Sequence, residues 1–304
     1  MTIIRARVLG FCMGVRRAVE LTTEQAKKAA GEDSAVYTLG HLIHNPQVLT
    51  DLEKQGVIAL KQNALEQIQK KGKNCCVIIR AHGISPQTEE KLRGMECKIT
   101  DATCPNVKKN QLKTQELSRA GYSLFLAGES AHAEIEGITG YASCAPFCKA
   151  VVNTQQAREA AAALRETNGN AKTALIGQTT ISQDEYREIG NEIKKYFPNL
   201  EIVNTICAAT AERQQALREL LNEAEAVIIA GGKESANTRR LLVIAQESGK
   251  PCAMVERPDE IPAEFYGLKS VGISAGASTP DSLIDDIERT LTKDTKKEKD
   301  TKRD

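Results

Sequence analysis

TIIRARVLGFCMGVRRAVELTTEQAKKAA, residues 2–30, runs from a β-branched apolar stretch, through a cysteine beside glycine, into a segment of helical spacing. IIRARVLGF reads as a strand, and GVRRAV opens a helix that sets Val15, Val19, Thr22, Ala26 and Ala29 on one face. Cys12 stands at the turn between them. The arrangement recurs twice. Cys104 follows KITDAT and precedes PNVKKN; Cys207 follows EIVNTI and precedes AATAER, where Ala208, Ala211, Leu217, Leu220, Leu221 and Ala224 again keep helical spacing. The three thiols lie roughly one hundred residues apart, so the chain is expected to hold three similar α/β units, each delivering one cysteine from a strand-to-helix turn.

The runs AVYTLG, CCVIIRA, YSLFLAG, AKTALIG, EAVIIAGG, PCAMVE and KSVGISAG alternate with amphipathic stretches, which predicts an α/β fold with mostly parallel sheets. Lobes over 14–103, 104–205 and 206–292 are expected, the third joined by a strand from 1–13. KDTKKEKDTKRD, residues 293–304, mixes both charge signs without one apolar side chain and reads as a disordered tail.

A chain of 304 residues that is 41% hydrophobic can fill real cores. Its net charge of +1 builds no field for duplex nucleic acid, and the absence of Trp disfavours a base-stacking platform. No run approaches a membrane span, and MTIIRARVLG is too short and charged for a signal peptide, so the cytoplasm is the expected compartment. Thiols stay reduced there. Nine cysteines then point to buried thiols, metal ligation or catalysis rather than to disulfides.

A helix start following a strand suits a thiolate, because backbone N–H groups there stabilise negative charge. Each cysteine taken alone also reads as a small buried hydrophobe; three in equivalent places favour a shared site. Cys75, Cys76, Cys97 and Cys252 fit core packing. Cys144 and Cys148 in CAPFC have no second pair at zinc spacing.

Polar groups gather at other strand ends: His44 in LIHNPQV, His82 in RAHGIS, His132 and Glu134 in HAEIEG, Gln178, Thr179 and Thr180 in GQTT, Ser235 and Asn237 in GGKESANT, and Ser278 in SAGASTP. Flanking glycines, prolines and small residues suit loops that approach a ligand, and such donors can hold a phosphate or diphosphate. No GxxxxGK[ST] run exists, which speaks against a nucleoside triphosphatase.

Taken in order, GFCMGV, LIHNPQV, RAHGIS, DATCP, HAEIEG, GQTT, TICAATAERQ, GGKESANT and SAGASTP closely resemble the 4-hydroxy-3-methylbut-2-enyl diphosphate reductase family, over nearly the whole chain except the tail. The resemblance implies three α/β lobes in pseudo-threefold arrangement around one [4Fe–4S] cluster, with Cys12, Cys104 and Cys207 as ligands. Three thiolates on four irons leave one position open for chemistry. It further implies reductive removal of an allylic hydroxyl to give isopentenyl or dimethylallyl diphosphate, with Glu134 as proton donor and Thr179 beside it. His44, His82, His132, Ser235, Asn237 and Ser278 resemble the diphosphate pocket, Gln178 a supporting residue. Reduced ferredoxin or flavodoxin is the implied electron donor.

Two positions depart from the family pattern: Ala236 where a second serine is usual, and Ala133 where proline is common. Two other classes compete on the residues. A non-catalytic phosphate-binding module would not need three equivalent cysteines or Glu134, and a thiol-redox protein would want a CxxC pair, which is absent.

Overall fold

The computed structural model describes residues 1–32, 34–60, 66, 68 and 74–300, with side chains described as far as residue 292. The chain divides into two compact units. One comprises Met1–Arg16, Ile43–Asp51 and Ala208–Asp304; the other comprises Arg17–Leu42 and Leu52–Cys207.

Among the described residues, the larger unit holds two four-stranded sheets. In the first, β2 (Ala35–Leu39), β3 (Val57–Leu60), β4 (Cys75–Ile79) and β5 (Lys98–Asp101) lie in the order β3-β2-β4-β5. In the second, β6 (Ser123–Ala127), β7 (Cys148–Val151), β8 (Thr173–Gly177) and β9 (Glu201–Ile202) lie in the order β7-β6-β8-β9. The smaller unit has one sheet, β1-β12-β10-β11, from β1 (Thr2–Arg5), β10 (Ala226–Ala230), β11 (Cys252–Val255) and β12 (Ser270–Ala275). Every strand pairing among the described residues is parallel.

The three sheets share one plan. Calling the strands of each lobe a, b, c and d in turn, the order is always b-a-c-d; in the third sheet, d is the chain's first strand, β1. Strands a and c are central and read as continuous apolar runs: CCVII, SLFLA, TALIG and AVIIA are buried at every position. Parallel strands covered on both faces require this. Strands b and d are edges, short and only partly buried, such as VIAL and KITD. VIAL and the strand starting at Cys148 were not foreseen, because four mixed residues carry little periodicity.

Alternation along each central strand feeds two cores. In β10, Ile228 packs with Ile273, Leu283, Ile284 and Ile287, while Val227 and Ile229 pack with Leu217, Leu220 and Leu241. In β6, Phe125 meets Leu175, Leu164, Ile189 and Ile193, while Leu124 and Leu126 meet Leu117, Ile135 and Ile138. The covering helices are α1 (Met13–Ala30), α2 (Pro46–Lys54), α3 (Pro86–Arg93), α4 (Pro105–Arg119), α5 (Ala133–Tyr141), α6 (Thr154–Thr167), α7 (Gln183–Lys194), α8 (Ala208–Glu223), α9 (Ala236–Glu247) and α10 (Asp281–Asp300).

Within a sheet ordered b-a-c-d, the chain leaves strand a in one direction and strand c in the other, so loops diverge between their carboxyl ends. That is the topological switch point at which open α/β sheets bind ligands. His44, the His132–Glu134 segment and the Ser235–Asn237 segment follow the three a strands in sequence; His82, Thr179 and Ser278 follow the three c strands. Cys12, Cys104 and Cys207 follow the d strands.

Backbone of α10 is helical through Asp300, and residues 301–304 of the expected tail lie outside those described. Lysine and glutamate are good helix formers, and a helix already nucleated by packed Leu283, Ile287 and Leu291 propagates at little cost.

Candidate active site

The three cysteines are equivalent in their backbone bonding. Cys12 N–H donates to Ala277 C=O at 3.1 Å, Cys104 N–H to Ala81 C=O at 2.9 Å, and Cys207 N–H to Thr179 C=O at 3.0 Å. In each lobe the thiol-bearing turn is thus tied to the loop after strand c, at or beside Ser278, His82 and Thr179. Each cysteine immediately precedes a helix, whose first backbone N–H groups have no partner within that helix. All three are unbridged and partly exposed. Gly10 turns the chain before Cys12 at φ +76°, and its carbonyl accepts from the buried Arg213 Nη2 at 2.5 Å.

Cys75 and Cys76 are buried within β4. Cys148 begins β7, and burial pushes its thiol up to about 11, the reverse of what a metal thiolate needs. CAPFC is therefore part strand and part turn, with Cys144 exposed.

At the switch point of β6 and β8, His132 caps α5: its Nδ1 accepts from Glu134 N–H at 3.2 Å, which leaves the ring proton on Nε2. Glu134, in the first turn, is 1% exposed. Thr179 clasps it twice, donating from its backbone N–H to Oε1 at 2.8 Å and from its hydroxyl to Oε2 at 2.9 Å. Burial raises the carboxyl to about 7; the two Thr179 bonds oppose that rise without cancelling it. The group is half protonated near neutrality, which suits a general acid.

His82 and His132 stand edge to face with ring centroids 5.4 Å apart. Gln178 donates from Nε2 to Thr180 Oγ1 at 2.7 Å and stands behind Thr179. Gly128 closes β6 at φ +155°, where a Cβ would lie 2.8 Å from Gln178 Oε1 and 2.9 Å from Ile135. Sequence reading missed Arg80, the charge inside CCVIIRA. It is 9% exposed and 3.7 Å from Glu136 of α5, and it packs beneath the turn at Gly40.

In the smaller unit, Ser235 caps α9 by accepting from Thr238 N–H at 3.3 Å and keeps its own O–H to donate. Asn237 is 3% exposed, yet among the described residues neither its Oδ1 nor its Nδ2 has a hydrogen-bond partner. A buried amide left so costs about 1–3 kcal/mol unless a ligand or water completes it. Ser278 Oγ donates to His44 C=O at 3.2 Å. Thr238 fills the slot between the loops: a Cβ at Gly276 would lie 2.1 Å from its Oγ1. Ser235, Asn237 and Ser278 thus line loops drawn together by small residues, with no ionisable side chain among the three.

A profile of the LytB protein family matches residues 3–292. The chain belongs to the LytB family. Among curated LytB relatives, the 4-hydroxy-3-methylbut-2-enyl diphosphate reductase of Treponema denticola is 39% identical over 293 residues, covering 96% of this chain and 99% of the relative. The enzyme of the same name from Aquifex aeolicus is 39% identical over 286 residues, covering 94% of each. Among solved structures, an (E)-4-hydroxy-3-methyl-but-2-enyl diphosphate reductase, described as the terminal enzyme of the non-mevalonate pathway, superposes with a TM-score of 0.70 at 37% identity, covering 96% of this chain and all of the other. The E-1-hydroxy-2-methyl-but-2-enyl-4-diphosphate reductase of Plasmodium falciparum gives 0.85 at 27%, covering 96% and 88%.

The donor chemistry of this LytB chain fits an iron–sulfur group. Three thiols stand at three helix starts with one repeated backbone anchor, and soft thiolates are the donors that select iron–sulfur clusters.

Proposed function

We propose that this chain reductively removes the hydroxyl of (E)-4-hydroxy-3-methylbut-2-enyl diphosphate to give isopentenyl and dimethylallyl diphosphate. The carbon–oxygen bond breaks, a carbon–hydrogen bond forms at either end of the allylic fragment, and two electrons with two protons leave water as the second product. The observation that carries the reading is Glu134: a buried carboxyl at about 7, held by both donors of Thr179, the residue whose carbonyl accepts from Cys207 N–H.

Hydroxide leaves poorly, so the departing oxygen needs a proton. Glu134 delivers it, and the Thr179 hydroxyl fixes the carboxyl and shares its hydrogen-bond chain. His132, held in one tautomer by its helix cap, serves beside Glu134 in catalysis and offers Nε2–H to the diphosphate. His44, His82, Ser235, Asn237 and Ser278 supply the remaining neutral donors, and the unpartnered Asn237 amide supports their assignment. Ala236 leaves its position without a hydroxyl, so its contact falls to backbone N–H at the start of α9.

Cys12, Cys104 and Cys207 would hold one [4Fe–4S] cluster, which when bound supplies electrons singly and, lacking a fourth thiolate, a Lewis-acidic corner. A reduced ferredoxin or flavodoxin is the proposed electron donor. Among the described residues no helix is long and apolar enough to cross a membrane, and the cytoplasm is the proposed compartment.

Anaerobic reconstitution with iron and sulfide should give a brown protein that turns over the allylic diphosphate. Serine in place of Cys12, Cys104 or Cys207 should abolish both colour and turnover, whereas serine at Cys75 or Cys252 should spare them. A colourless chain that still binds the diphosphate would instead identify a phosphate-binding module.

A further inference from the structure

Two asparagines of α4 belong to none of the groups assigned above. Asn106 and Asn110 lie one helical turn apart, just after the Cys104 cap. Asn110 is 4% exposed, and its Nδ2 donates to Thr205 C=O at 3.3 Å. Asn106 lies nearer the surface, and its Nδ2 donates to the Cys207 sulfur, also at 3.3 Å. The match is geometric. Residues at i and i+4 share one face of a helix and are about 6 Å apart along its axis, so the two amides of α4 reach two groups of the segment leading to Cys207, the Thr205 carbonyl and the Cys207 sulfur.

That segment is held elsewhere as well. Thr205 Oγ1 accepts from Gly177 N–H at 2.8 Å, and Cys207 N–H reaches Thr179. The backbone is therefore fixed before Asn106 is considered, and the bond from Asn106 is the contact in this group that touches sulfur. It is a neutral donor, so it changes the electrostatics at the sulfur without adding net charge.

We propose that Asn106 is a positioning residue for the metal site: its side-chain amide donates to the Cys207 sulfur and makes the bound cluster easier to reduce, while Asn110 holds the backbone on which that sulfur sits. The inference rests on the reading of Cys207 as a ligand. Hydrogen bonds to ligating sulfurs are among the levers that set cluster potentials, and a donor favours the more electron-rich, reduced state.

The test is a redox titration of the anaerobically reconstituted full-length chain, followed by electron paramagnetic resonance, with Asn106→Leu and Asn106→Ala beside wild type. Both variants should bind as much iron as wild type and, freed of metal, melt at the same temperature, since the side chain is exposed. Their midpoint potentials should move to more negative values, Asn106→Ala confirming that lost donation rather than added bulk is responsible. Unchanged midpoints in both variants would overturn the proposal while leaving the function intact. A shift in Asn106→Leu alone would also overturn it, as an effect of bulk. A wild-type chain that takes up no iron would overturn the functional reading and this one with it.

Discussion

The switch point of β6 and β8 and that of β10 and β12 are built on the same strand order, yet they carry side chains of different chemistry. The first buries a carboxylic acid against two donors from Thr179 and holds its proton to about pH 7. The second buries Ser235, Asn237 and Ser278, none of which carries an ionisable group near neutrality, and leaves an amide without a partner among the described residues. Under the proposed function, one moves a proton and the other holds an anion by hydrogen bonds. The fold supplies equivalent positions after strands a and c; the side chains placed there divide the labour.

Glu134→Gln tests that division most severely. Turnover should fall by about 10²–10⁴ while KM for the diphosphate stays within a few-fold, as expected for a positioned acid. Unchanged kcat would erase the difference between the two sites.

The same variant carries a stability signature. The folded-state carboxyl, raised from 4.5 to about 7, keeps its proton where the unfolded chain has lost it. Wild-type stability should be full below pH 4.5, decline between 4.5 and about 7, and stay level above. Denaturant melts should therefore show Glu134→Gln gaining on wild type by about 3 kcal/mol from pH 4 to pH 8. Parallel curves would place the carboxyl in a wetter setting.

Asn237→Ala probes the other switch point. KM should rise by about 10–100-fold, the worth of one or two ligand hydrogen bonds, with kcat little changed. The melting temperature should not fall, because the substitution removes an unpartnered buried amide. A lower melting temperature with unaltered KM would make Asn237 structural. Removal of residues 293–304 should change neither activity nor stability, since the packed apolar residues of α10 end at Leu291; a measurable loss would tie the tail to function.

Much of the architecture was legible because central parallel strands announce themselves. CCVII, SLFLA, TALIG and AVIIA are apolar throughout, and the glycines and small residues after them mark ligand-facing loops. Edge strands were harder: VIAL and CKAV bury only part of their length and carry no clear period. Arg80 and Arg213 escaped notice because a buried cation is unusual, and only packing shows what it touches. Asn106 looked like any polar residue near a helix start.

The sequence by itself determined that three cysteines leave strand-to-helix turns and that polar loops end the central strands. Apolar runs, glycines and helix caps are local signals that propagate into local structure. The protonation of Glu134 was decided by tertiary structure alone. HAEIEG reads as an acid in a capped first turn, and desolvation arises only when β6, β8 and α5 pack around it, with Thr179 brought 45 positions along the chain to both carboxylate oxygens.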